Sequence, residues 1–138
     1  MAFYFSRREE EKLIHQKTNK MSSTNIPFQI TDWSKIPTEE HQGETGIAIW
    51  RTLDFGNLRI RMVEYSKNYK ADHWCQKGHI IYCIEGELTI QLLGGQVVEI
   101  TQGMTFQVSD DLSSHRTYST SGVKLFIVDG DFLKLQPE

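Results

Sequence analysis

From Ile26 to Leu133 the sequence is a succession of short apolar runs cut by turn residues, and no interval between them can hold a helix of crossover length. Parallel strands in one sheet need such a crossover, so a doubly wound or α/β-barrel fold is excluded. What remains is an antiparallel all-β architecture: a sandwich, a jelly roll or a barrel. The run "GIAIWRTL" leads through "DFGN" into "LRIRMVEY", a hairpin in which Leu58, Ile60 and Met62 alternate with Arg59, Arg61 and Val63. "HIIYCIEGELTIQLLGGQVVEI" predicts a strand, a break at Gly86, a second strand, a turn at Gly94-Gly95 and a third strand, since paired glycines supply the positive φ of tight hairpin turns. "GMTFQVSDD" begins another, with Met104, Phe106 and Val108 on one face, and "HRTYSTSGVKLFIVDGDFL" fits two more, hinged at Ser121-Gly122. One helical turn is expected in "DWSKIPTEEH", limited by Pro37.

A chain of 138 residues is one domain by length. Composition shifts once, near residue 22: "SRREEEKLIHQKTNK" is crowded with charge and offers only Leu13 and Ile14 as anchors. Residues 1–22 read as a disordered or helical extension, frayed or docked on a neighbouring subunit, ahead of a domain over 23–138. The 15 basic and 18 acidic residues form no long run of either sign, which argues against nucleic acid and anionic lipid as partners. No stretch approaches the roughly 20 apolar residues of a membrane helix, and the N-terminus lacks the pattern of a secretory signal. A cytoplasmic protein with its two cysteines, Cys75 and Cys83, reduced is the expectation.

The segment "HWCQKGH" carries the chemistry. Read as a strand, residues two apart point the same way, so His73 and Cys75 would share a face while Trp74 points to the other. "QKG" is short enough to turn the chain, and His79 then opens the following strand opposite the first pair. His115, the one histidine after residue 79, supplies a fourth candidate. Zinc takes imidazole nitrogen at about 2.0–2.1 Å and thiolate sulfur at about 2.3 Å, distances that neighbouring strands of a small barrel can meet. The alternative for each residue is a hydrogen-bonded core histidine or a small buried thiol. Cys83 has the parity of His79 but reads more simply as core. His41, in "TEEHQGETG", reads as a surface-loop residue.

This frame resembles the cupins, small jelly-roll (double-stranded β-helix) barrels whose first motif is H-x-H, three or four residues, a glutamate, six residues and a glycine. Here it runs His73-Trp74-Cys75, "QKG", His79, six residues and Gly86, so Cys75 stands at the second histidine and His79 at the glutamate. The second motif matches more loosely, from Gly103 to His115, with Ser109 and Asp111 in place of its proline and glycine. "ADHWC", "KGH", "EGEL", "HR" and "KLFIVDG" are similar to the group called DHCW-motif cupins, over roughly residues 26–132. The resemblance implies a single jelly-roll barrel with a divalent metal held by His73, Cys75, His79 and His115. It implies no single reaction, because cupins include oxygenases, isomerases, storage proteins and sugar-binding regulators. A thiolate for a histidine and an imidazole for the carboxylate favour zinc, with iron, nickel or copper as alternatives.

Two function classes follow. In one, all four groups close the coordination sphere of a binding or sensing module; in the other, His73, His79 and His115 hold the ion, Cys75 stands off or departs, and the open position serves a metalloenzyme acting on a small organic acid. Arg59 and Arg61 have two readings as well: they line the barrel mouth and hold a small carboxylate, or they sit on a solvated sheet face. Cupins commonly pair through an outer sheet, and Ile80, Tyr82 and Ile84 offer an apolar surface for a homodimer.

Overall fold

The computed structural model describes residues 25–137. The extension read over residues 1–22 lies outside them. Nine strands follow a single-turn 3-10 helix at Trp33–Lys35: β1 (Glu39–Gln42), β2 (Ile47–Phe55), β3 (Leu58–Tyr65), β4 (Tyr69–Lys70), β5 (His79–Leu92), β6 (Val97–Thr101), β7 (Thr105–Val108), β8 (His115–Ser119) and β9 (Val123–Gly130). A second 3-10 turn, Asp131–Leu133, closes the described chain. All strand pairs are antiparallel, and no helix among the described residues is long and apolar enough to cross a membrane. The strands curl into a jelly-roll barrel, the architecture the strand pattern leaves open and the motif frame implies.

The expected helical turn is present but shorter than its sequence window. Asp32 caps it by accepting from the Ser34 amide at 3.0 Å, and past Pro37 the chain extends into β1, so His41 lies on a strand rather than in a loop. Its ring stacks on Trp50, with centroids 3.8 Å apart.

β5 is the axis of the barrel. Its first half pairs with β9 and β7, its second with β6 and β8, so one strand passes from one sheet into the other. The break expected at Gly86 is instead a bend inside a continuous strand, with a register shift between Cys83 and Glu85. Gly86 has φ +91°, and a Cβ there would stand 2.3 Å from the Gly122 carbonyl oxygen. Gly86→Ala should therefore cost more than about 1 kcal/mol in a urea melt, from left-handed backbone and collision together.

Side-chain parity sorts the interior into layers. Val63 of β3 lies opposite Leu125 of β9, which lies opposite Cys83 of β5. These join Leu88, Ile90 and Ile100 in the apolar core. Cys83 is fully buried there and is a packing residue. One layer nearer the mouth, Arg61, Ile127, Ile81 and Phe106 stand in a row across four strands. Arg59 and Arg61 thus share the inward parity of Val63, while Leu58, Ile60 and Met62 take the other face. The solvated-face reading of the arginines is overturned: Arg61 is only 4% exposed.

Candidate metal centre

Cys75, His79 and His115 converge, with ligand atoms within 4.8 Å of one another. Three local structures bring them there. His79 opens β5 directly after Gly78, whose amide donates to the Asp110 carboxylate at 2.6 Å; a Cβ on Gly78 would lie 2.6 Å from the Val108 carbonyl, so the chain can enter the strand so closely only as glycine. His115 opens β8 beside the end of β5. Cys75 lies in the loop after β4 and is pinned to His115 by two backbone hydrogen bonds, 2.7 and 2.9 Å, which set the two residues face to face.

The partners of the imidazoles orient their free nitrogens. His115 Nδ1 is 3.1 Å from the Ser113 carbonyl, which can only accept, so Nδ1 carries the proton and Nε2 is left with its lone pair. His79 Nδ1 donates likewise to Asp129 Oδ2 at 3.2 Å, and its Nε2 lies 3.7 Å from Cys75 Sγ. A tetrahedral ion at ordinary zinc bond lengths holds nitrogen and sulfur about 3.5 Å apart, so the pair is nearly spaced for one. Burial alone would raise the Cys75 thiol, but the hydrogen bonds with His79 and with the Lys77 backbone and the neighbouring charge of Arg61 outweigh it and pull the thiol below its ordinary value. A readily formed thiolate, two oriented imidazoles and carboxylate-backed histidine geometry together form a donor set that fits a divalent transition metal.

His73 is not brought to this group. The chain bends at Asp72 and His73 and regains extended pairing only at Cys75, so the alternation expected across 73–75 does not hold. The His73 side chain is 73% exposed at the cavity rim, with Nδ1 2.6 Å from Asp72.

Asp129 is the residue that sequence reasoning missed. Its carboxylate is 2% exposed and receives Arg59 Nε at 2.9 Å, Arg59 Nη2 at 3.1 Å and Arg61 Nη2 at 2.8 Å besides His79. Burial would raise its pKa, but the hydrogen bonds from His79 and Arg59 and the two guanidinium charges overcome that and hold the group well below the usual carboxylate range. The three donors open onto a cavity of about 230 Å³. Trp50 forms one wall, with the Arg61 guanidinium 4.3 Å from its ring centroid. Tyr65 also lines it, its hydroxyl 3.1 Å from Thr117 Oγ1 and kept protonated by burial.

No family model matches the sequence, and no curated protein matches it. Solved structures do. An RmlC-like cupin from Shewanella frigidimarina superposes with a TM-score of 0.60 at 18% identity, over 76% of this chain and 92% of that one. Ectoine synthase from P. lautus gives 0.60 at 17% identity, over 79% and 80% of the two chains. The iron(II) form of HppE gives 0.61 at 11% identity, over 78% of this chain and 64% of the other. Identities this low speak for architecture alone: the chain has a cupin-type jelly-roll fold, like these structures and like the fold the motif frame implies.

Proposed function

We propose that the protein is a metal-binding cupin whose Cys75–His79–His115 centre keeps a coordination position open for a small organic ligand. The observation that carries this reading is the convergence of three donors, without His73, at the wall of an internal cavity. Structural zinc sites are closed by four protein ligands, whereas three protein ligands plus an exchangeable position mark sites that bind or transform something. One thiolate and two imidazoles, with no carboxylate in the group, favour zinc over iron, nickel or copper. When bound, such an ion acts as a Lewis acid toward whatever fills the open position. Around it, Asp129 fixes the His79 tautomer, Ser113 fixes that of His115, and the barrel wall limits access of water.

Catalysis on the bound ligand is a second reading. It is supported by Tyr65, a buried, protonated hydroxyl that lines the same cavity and is able to donate a hydrogen bond to charge that develops on a bound ligand.

The test is stoichiometry. Protein purified without chelator should carry about one transition-metal ion per chain by elemental analysis, and stripped protein should take up one equivalent of zinc. Stripped protein that binds none of zinc, iron, nickel or copper would refute the site.

A further inference from the structure

The charges around the cavity do not balance in the way a neutral or cationic ligand would require. Its lining contains Arg59, Arg61, Lys77 and Arg116 and no carboxylate, and of these Arg116 has a counter-charge of its own in Glu44, 3.6 Å away. Asp129, behind the wall, is a single negative charge shared between two guanidinium groups and His79. A divalent ion held by one thiolate and two neutral imidazoles adds a further net positive charge. Low-dielectric surroundings make such an excess costly unless an anion joins it.

The two arginines are not equivalent. Arg59 spends Nε and Nη2 on Asp129 in a bidentate pair and is one-third exposed. Arg61 gives Asp129 a single Nη2 contact, and its Nε is buried with no hydrogen-bond partner among the described residues. Burial lowers the Arg61 pKa, followed by repulsion from Arg59, against the opposing pull of Asp129, so the group is held charged where charge is poorly solvated. A buried donor left unpaired in a cavity large enough for a ligand is one awaiting an acceptor. Val63, Ile81 and Ile127 make an apolar part of the same wall, beside the hydroxyls of Tyr65 and Thr117.

We propose that Arg61 is the recognition residue for a small monocarboxylic acid, which occupies this cavity with its carboxylate between the metal centre and the Arg61 guanidinium and its short apolar tail toward Val63, Ile81 and Ile127. Trp50 holds the guanidinium from one side. The cavity, about 230 Å³, lies below the roughly 300–1,000 Å³ of sites for drug-sized ligands, which limits the acid to a short chain. An inorganic tetrahedral anion satisfies the charge but leaves the apolar wall unused.

The inference rests on the open metal position, and the experiment separates the two. Cobalt-loaded protein is titrated with acetate, butyrate and sulfate, with the visible spectrum and amide chemical shifts as readouts. The expected result is carboxylate binding that perturbs the cobalt bands, tighter for butyrate than for sulfate. Arg61→Met should weaken it roughly 10- to 100-fold and Arg59→Met far less, each compared on fully cobalt-loaded protein so that any change in metal affinity is read separately. Arg61→Lys, which keeps the charge but loses the fork, should fall between wild type and Arg61→Met. Far-ultraviolet circular dichroism and metal uptake establish that each variant is folded. Metal binding with no carboxylate response, or a response that Arg61→Met and Arg61→Lys leave unchanged, overturns the assignment while the metal centre stands. Sulfate binding as tightly as butyrate overturns the organic-acid class, and failure to load cobalt removes both readings.

Discussion

Asp129→Asn should lower the stability of the folded protein by about 3–5 kcal/mol, the cost of removing one partner from a buried ion pair and leaving the other charged. Two cations depend on this one carboxylate, Arg61 at 2.8 Å and Arg59 at 2.9 Å, and Asp129 itself is 2% exposed, so solvent cannot take over its role. The asparagine amide keeps one acceptor oxygen in place of two and carries no charge, so His79 Nδ1 competes with the guanidinium groups for a weaker acceptor and its tautomer is held less firmly; metal affinity should drop about 10- to 100-fold, as for other outer partners of ligating histidines. The pH dependence has a definite sign. The folded-state pKa of Asp129 is depressed, so its contribution to stability is fully present above the unfolded value of about 3.9 and is lost as pH falls toward the lower folded value. Urea melts between about pH 6 and pH 3 should show wild type losing stability below about pH 4 more steeply than Asp129→Asn. A variant within about 1 kcal/mol of wild type at neutral pH, with the same acid slope, would mean that the arginines do not rely on this carboxylate.

How much of this could be read from residues alone depends on what each signal encodes. Strand identity was legible because period-2 alternation and paired glycines act locally: the β2–β3 hairpin, the Gly94-Gly95 turn and the Ser121-Gly122 hinge all fall where the sequence puts them. The continuity of β5 through Gly86 was not, because a glycine that ends a strand and one that bends it between two sheets look the same until the neighbour at Gly122 is known. His79 and His115 were found as chemistry-bearing residues at strand starts. The position of His73 was not legible, since parity applies only to extended backbone and the chain bends at Asp72-His73. The direction of Arg59 and Arg61 was left open between two faces because the opposite set, Leu58, Ile60 and Met62, is apolar and looks like a core face; in a barrel with a polar cavity the convex face can be the greasier one. Asp129 carried a usable signal. It continues the buried series Val123, Leu125, Ile127 at the same parity, and a carboxylate on the inward side of such a run needs a buried cation, which Arg59 and Arg61 at matching parity provide.

Cys75→Ser should weaken zinc binding by more than about 100-fold, a loss beyond that of an outer partner, while His73→Ala should leave it within about threefold. The contrast follows from geometry: Cys75 Sγ is 3.7 Å from His79 Nε2 and the residue is locked against His115 by paired backbone bonds, whereas His73 points to solvent and pairs with Asp72. A ligand that binds only the folded state adds its affinity to stability, so at free zinc about 1,000 times the wild-type Kd the gain is about 4.1 kcal/mol. A 100-fold weaker site at the same free zinc retains about 1.4 kcal/mol. The variant should therefore melt roughly 10 °C below wild type in zinc and close to it in chelator, since serine is nearly isosteric with the thiol it replaces. Cobalt gives the direct readout. A thiolate-to-cobalt charge-transfer band in the near ultraviolet should be present in wild type and in His73→Ala and absent in Cys75→Ser. Cobalt bound to wild type without that band would remove Cys75 from the coordination sphere and require a further donor beside the two imidazoles. A band that disappears with His73→Ala instead would bring His73 back into the first coordination sphere and close the position that a carboxylate needs.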